Sequence, residues 1–386
     1  MKRRRFLRAL GGATVGATIL PGCRDSGSGG DSSAADSAAT GAGGRGAFRG
    51  WAWVQGGGER TADEWRQRFS RVRGAGITAV LVSGGDTATL ADIAHEAGLE
   101  FHRWLWVLNR NGDAWVKENH PEWFSISRNG VSTLTDPPYV DYYRWLCPTR
   151  EPVRAYLRGV VAEVARDPRV DGVHLDYIRH PDVILPVGLW KKYGLVQDRE
   201  YPEYDFCYCD VCRSTFIVRG GTDPLELPDP TVDVAWREFR WASVSGVVRA
   251  LAEEVRAHGK PISAAVFPTP QLARRLVRQA WDEWPLDAAF PMLYHSFYEE
   301  PVSWIGDAAR EGVSALAGRV PLYAGLYLPD LAPAELAQAI EHARAAGAAG
   351  FALFELDGIT DEHLARIAAD SGTAPGSGRA SSRESP

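Results

Sequence analysis

The sequence predicts a (β/α)8 barrel, and three observations predict it. Eight short apolar runs alternate with amphipathic helical patterns through the middle of the 386-residue chain. Several of these runs lack the polar alternation of a half-exposed strand, as expected of parallel strands covered on both faces. Polar, charged and aromatic residues gather just past the C-terminal ends of the runs, where such a barrel carries its chemistry. A doubly wound sheet is the competing arrangement, but it rarely needs eight consecutive units.

The first strand is expected at Ala47 to Val54. A helix follows from Thr61, whose partner three residues on, Glu64, completes a capping box ahead of Trp65, Phe69 and Val72. The second strand is Ile77 to Ser83, followed by a helix through Leu90, Ile93 and Ala94. The third is Leu99 to Leu108, and its helix presents Val153, Leu157, Val160, Val161 and Val164 after Pro152, a good first-turn residue. The fourth is Val170 to Asp176, and its helix runs from Phe239 to Val255 and stops near His258-Gly259. The fifth strand, Pro261 to Phe267, precedes a helix through Leu272, Leu276 and Ala280. The sixth, Asp287 to Tyr294, precedes a helix marked by Ala308 and Val313. The seventh, Val320 to Tyr327, precedes an Ala/Glu-rich helix from Ala334 to Ala346. The eighth, Ala349 to Glu355, leads into a last helix from Glu362 to Ala369.

Two connections are oversized, roughly 40 residues after the third strand and roughly 55 after the fourth, and loops of that length are usually functional. They carry Tyr139, Tyr142, Tyr143 and Trp145, then Trp190, Tyr193, Tyr201 and Tyr204, an aromatic rim for the C-terminal mouth. The strand tips supply the rest. Trp53 belongs to the first strand. Trp104, Trp106 and Asn109 belong to the third, and His174, Asp176, Arg179 and His180 to the fourth. Tyr294 and His295 end the sixth, Tyr327 the seventh and Glu355 the eighth.

Two carboxylates flanked by indole and phenol faces are the equipment of glycoside hydrolysis. Asp176 and Glu355 are the expected catalytic pair. Asp176 is kept ionised by Arg179 or His180, and Glu355 acts as the acid. Trp53, Trp104, Trp106, Asn109, His174, Arg179, His180, Tyr294, His295 and Tyr327 are expected to line the substrate site. Side chains alternate along a strand, so His174 and Asp176 should point into the barrel, and pairing Asp176 with Glu355 needs the face shared by Phe351, Leu353 and Glu355 to be the inner one. A histidine metal site is the rival chemistry, but no His-x-His stands at the first strand. No catalytic metal and no required cofactor is expected. A barrel that binds carbohydrate without turning it over is the alternative function.

Composition excludes other classes. Apolar content of 45% and charged content of 24% are those of a globular protein. The net charge is −6, and removing the first 22 residues takes away five cations and no acid, leaving −11. So acidic a chain is a poor binder of nucleic acid. Residues 1–23 combine a basic start, a short apolar run and a small-residue cleavage zone. Arg3-Arg4-Arg5-Phe6-Leu7 resembles the twin-arginine export signal, and Leu20-Pro21-Gly22-Cys23 resembles a lipobox that would lipidate Cys23. Residues 24–46 read as a flexible Gly/Ser/Ala linker, 47–370 as the barrel and 371–386 as a disordered tail. The expected destination is the cell envelope, with membrane contact through a lipid anchor alone, and the expected state is a monomer.

The segment DGVHLDYIRHP, preceded by WLCPTREPVRAYLRGVVAEVARDPRV, resembles the bacterial glycoside-hydrolase-like family ten, a group of exported (β/α)8 proteins. FRGWAWV, HRWLWVLN, DAAFPMLYH and GFALFEL fit the same pattern, and the resemblance spans Phe48 to Ile367. It implies hydrolysis of bacterial or plant glycans, with peptidoglycan strands one option. DGVHLD is also similar to the strand-four segment of the α-amylase family, which would place that family's nucleophile on Asp176. The chain departs from amylases in carrying His174 where they carry arginine, and PISAAVF holds no acid.

Four cysteines beyond Cys23 remain. Cys207, Cys209 and Cys212 cluster in the fourth-strand loop, and Cys147 lies in the third-strand loop on the same face. Four thiolates can hold a structural Zn²⁺, whereas an exported protein favours disulfides. Either would pin the two long loops together.

Overall fold

The computed structural model describes residues 47–370. The signal, linker, Cys23 and tail of the sequence reading lie outside the described residues. Eight parallel strands form the barrel: β1 Arg49–Gln55, β2 Ile77–Ser83, β3 Glu100–Trp106, β4 Gly172–Asp176, β5 Ile262–Val266, β6 Ala288–Pro291, β7 Tyr323–Tyr327 and β8 Gly350–Phe354. They hydrogen-bond in the order β6-β5-β4-β3-β2-β1-β8-β7. Parallel bridges Ala289↔Leu322 and Met292↔Gly325 join β6 to β7 and close the ring. Gly325 makes that closure possible. A Cβ there would stand 2.8 Å from the Pro291 carbonyl oxygen and 3.2 Å from the Trp53 ring.

Eight helices sheathe the barrel: α1 Ala62–Gly74, α2 Thr87–Glu96, α4 Glu151–Arg166, α7 Val234–Ala257, α8 Pro270–Val277, α9 Trp304–Leu316, α10 Pro333–Ala345 and α11 Asp361–Asp370. The local signals act as read. Thr61 and Glu64 close the capping box of α1, which buries Trp65, Phe69 and Val72. Short helices α3 Ala114–Asn119, α5 Val187–Tyr193 and α6 Asp210–Val218 structure the two long loops.

Strand alternation sorts side chains into two cores. Ala52, Val54, Val173, Leu175, Ile262 and Val266 pack outward against the helices. Trp51, Trp53, Leu81, Trp104, Phe290 and Tyr323 fill the barrel interior. Trp51 meets Phe290 edge to face at 5.2 Å, and Phe290 stacks on Tyr323 at 4.9 Å. Several of the indoles are therefore barrel filling.

One parity expectation is overturned. Phe351 and Leu353 face the helices, while Ala352 and Phe354 face the interior. GFALF is apolar at nearly every position, so its pattern carries no face information. The face is set instead by register: Trp51, which points inward, pairs with Ala352. β8 ends at Phe354, so Glu355 leaves the strand and alternation no longer governs it.

Candidate active site

β3 and β4 build the first half of the site. Their register sets Trp104 beside His174 and Trp106 beside Asp176. His174 lies one layer below the mouth and is completely buried. Its Nε2 accepts the Trp53 indole N–H at 3.0 Å, so its proton sits on Nδ1 and is donated to Ser263 Oγ at 2.8 Å. Burial keeps this imidazole neutral, with the nearby His102 adding to the effect. With both nitrogens committed, His174 is a floor for Asp176 and has no lone pair left for a metal.

Asp176 stands above it, half-buried at the strand tip. Oδ2 accepts the Trp104 indole N–H at 3.0 Å and Oδ1 accepts the Tyr177 amide at 2.6 Å. Tyr177 carries φ 48°, a left-handed backbone that is unusual for a bulky residue and that recurs at functional turns. Burial raises the Asp176 pKa to about 6; the Tyr177 amide, the Arg179 charge and the Trp104 indole oppose the rise.

Glu355, the second expected carboxyl, stands just beyond β8. Burial and the charge of Asp357 push its pKa up to about 7, against the pull of Arg68 and Arg60. Those two arginines are bonded to Asp357. Glu355 Oε2 is buried and has no hydrogen-bond partner. An orphaned carboxyl oxygen favours the protonated acid. Tyr294 connects the two halves. Burial raises its hydroxyl pKa, and the charges of Asp176 and Glu355 both add to the rise, so it lies within electrostatic reach of each acid. Its ring meets Phe354 at 5.9 Å and Tyr327 at 5.3 Å. Trp106, half-buried, packs on Tyr177 at 4.5 Å and on Tyr142 at 6.0 Å, forming an aromatic wall beside Asp176.

Other expected site residues are placed elsewhere. Trp53 is only 1% exposed and serves the interior. Arg179 acts on Asp176 through its charge alone, with no hydrogen bond between them among the described residues. It pairs with Asp182 at 2.8 Å and is covered by Trp145 at 4.8 Å and Phe267 at 5.0 Å. His180 is buried, and burial together with Arg240 and Arg278 pushes its pKa down to about 3. It therefore cannot hold Asp176 ionised; the Tyr177 amide, the Arg179 charge and the Trp104 indole favour that form. Asn109 is 1% exposed and accepts the Asn111 amide at 3.2 Å, bracing the base of the β3 loop. His295 is nearly buried in the turn after β6, with Asp330 and Glu335 as its charged neighbours. Ser263 and Phe354 were missed. Ser263 is the register partner of His174 and the lone hydroxyl of the apolar strand ISAAV, a signal the sequence did carry.

The cysteines meet. Cys147, Cys207, Cys209 and Cys212 are buried, and their sulfurs all lie within 4.8 Å of one another without a disulfide.

No family model matches the sequence, and no curated protein matches it. Solved structures match in shape. The glycoside hydrolase domain of PgaB (BpsB) from Bordetella bronchiseptica aligns with a TM-score of 0.61 at 12% identity, over 83% of this chain and 98% of that one. The catalytic domain of β-amylase from Paenibacillus polymyxa gives 0.58 at 11% identity, over 85% and 100%. What is shared is the (β/α)8 barrel fold. The α-L-fucosidase isoenzyme 2 from Paenibacillus thiaminolyticus extends the set, with 0.52 at 14% identity over 84% of this chain and 49% of that one.

Proposed function

We propose that this barrel is an exported glycoside hydrolase that cleaves O-glycosidic bonds of a bacterial or plant polysaccharide, with Asp176 and Glu355 as its two carboxyl groups. The observation that carries the reading is the unequal environment of the pair. Asp176 receives two N–H donors that favour its charged form, whereas Glu355 keeps a buried oxygen without a donor. Asp176 is then ionised, as nucleophile or base, while Glu355 holds the proton for the leaving oxygen. The shared fold with hydrolase domains named for PgaB, β-amylase and fucosidase supports it, as does the family-ten resemblance of DGVHLDYIRHP.

The test is reducing-sugar release from a panel of glycans, with Asp176→Asn as the blank. The expected loss is at least about 10³-fold in kcat/KM, roughly 4 kcal/mol of transition-state stabilisation. Glycan binding with no release by the native chain would instead establish a carbohydrate-binding barrel. The anomer of the first product assigns Asp176: retention makes it a nucleophile and inversion a base. Export by the twin-arginine route and lipidation of Cys23 belong to the same proposal. Changing Arg3 and Arg4 to Lys should strand the protein in the cytoplasm, and Cys23→Ala should free it from membranes.

A further inference from the structure

We infer that Cys147, Cys207, Cys209 and Cys212 hold one zinc ion as four thiolates, and that this ion clips the β3 loop to the β4 loop. The inference rests on sulfur geometry and stands independently of the hydrolase reading.

A tetrahedral zinc with Zn–S bonds of about 2.3 Å places its sulfurs about 3.8 Å apart. Cys147 Sγ lies 3.6 Å from Cys209 Sγ and 3.4 Å from Cys212 Sγ, and every pair in the group is within 4.8 Å. Two disulfides would instead sort the four into two bonded pairs at about 2.05 Å. Here Cys147 stands at nearly equal distances from two partners, as a shared centre requires.

The surroundings suit thiolates. The Ile126 amide donates to Cys207 Sγ at 3.4 Å, and the Cys212 thiol donates to Thr149 Oγ1 at 3.2 Å, a hydroxyl that can turn its own proton to the sulfur once Cys212 is a thiolate. A zinc with four thiolates carries a net charge of about −2 and needs a compensating cation. Arg150 provides it, within electrostatic reach of Cys147, Cys207 and Cys209. Its Nε is buried without any partner, although its terminal nitrogen bonds Asp210 at 2.5 Å. A groove of about 550 Å³ lined by Ile126, Arg150, Cys209 and Asp210 reaches the cluster from the surface, giving the ion a way in.

The need for a clip is physical. The lobe around the cysteines has a small core of its own, built on Phe206, Tyr208, Phe216, Trp236 and Phe239. Cys147 arrives from the β3 loop; the other three come from the β4 loop. Four bonds to one ion stop the two loops from parting, and Tyr139 of the first stacks on Tyr204 of the second at 4.3 Å.

The experiment measures metal content by plasma mass spectrometry on the full chain purified without chelator, and counts thiols by alkylation after non-reducing denaturation with chelator. The expected result is one zinc per chain, with all four cluster cysteines alkylated and Cys23 scored separately. Replacement by Co²⁺ should give the visible bands of tetrahedral thiolate cobalt. In the double variant Cys209→Ser/Cys212→Ser, bound zinc should fall at least tenfold. Two disulfides by intact mass with no metal would overturn the inference, as would zinc retained at full stoichiometry by the double variant. Because the native chain is read directly, a variant that fails to fold leaves the result decisive. Glycan turnover plays no part in the readout, so failure here is distinct from failure of the hydrolase proposal.

Discussion

Asp176 and Asp205 are both carboxylates withdrawn from water, one at the start of the β4 loop and one inside it. Burial pushes both pKa values upward, yet it prevails only at Asp176. Asp205 is bonded to Arg240, lies 3.8 Å from Arg278 and accepts the Tyr208 hydroxyl at 2.5 Å. Two guanidinium charges outweigh desolvation, and its pKa is lowered. Asp176 has an indole and an amide, which are dipoles, and the charge of one guanidinium, Arg179, that is itself paired with Asp182. Two neutral donors and one shared charge moderate the burial penalty without cancelling it. The lesson is that a saturated ion cluster builds a wall, whereas an under-satisfied carboxyl is left poised for proton transfer near neutral pH.

The comparison is sharpest in stability. Asp205→Asn leaves Arg240 and Arg278 buried with reduced compensation, and it should destabilise by about 3–5 kcal/mol. The depressed pKa makes the contribution of Asp205 present above the unfolded value and lost as pH falls through the folded one. Denaturant melts at pH 7 should therefore show the full loss, and melts near pH 3 a smaller one. A loss below about 1 kcal/mol at pH 7 would show that the arginines find other partners and break the contrast.

Asp176→Asn should do the opposite. Its folded pKa is raised, so the stability it contributes is present below the unfolded pKa and is lost as pH rises through about 6. The asparagine variant should accordingly be more stable than the native chain by about 1–2 kcal/mol at pH 8, with no gain near pH 3.5. Glu355→Gln should follow the same sign, with its gain appearing as pH rises through about 7. Destabilisation at pH 8 by both would mean that these acids are structural.

The smallest effect concerns the donor. If Asp176 works ionised and Glu355 protonated, kcat/KM should be bell-shaped, rising near pH 6 and falling near pH 7. Trp104→Phe removes an N–H that favours the ionised form, so the acid limb should move up. Activity at pH 5.5 should fall by about 3- to 10-fold more than activity at the optimum. An unmoved acid limb would take the indole out of the tuning of Asp176.

Much of the molecule is written locally. The eight apolar runs, the Thr61–Glu64 cap and the arrival of Asp176 at the end of GVHLD are properties of contiguous residues; each forms, although β6 stops at Pro291, three residues short of the expected Tyr294. The β4 faces follow from the alternation of His174 and Asp176 with Val173 and Leu175. What the sequence left open lies in partners distant along the chain. Arg179 and His180 sit beside Asp176 in sequence, but their neighbours in space are Asp182, Trp145, Arg240 and Arg278. The face of Phe354 came from pairing with β1, because an apolar strand buried on both sides carries no pattern to choose between them. Spacing counted the cysteines, and only the packing of the two long loops brought Cys147 within 3.4 Å of Cys212, 65 positions away. Local sequence decides where a strand begins and what stands at its tip. The charge state and role of that tip depend on donors and guanidinium groups delivered by other elements, and those meet only once the barrel has closed.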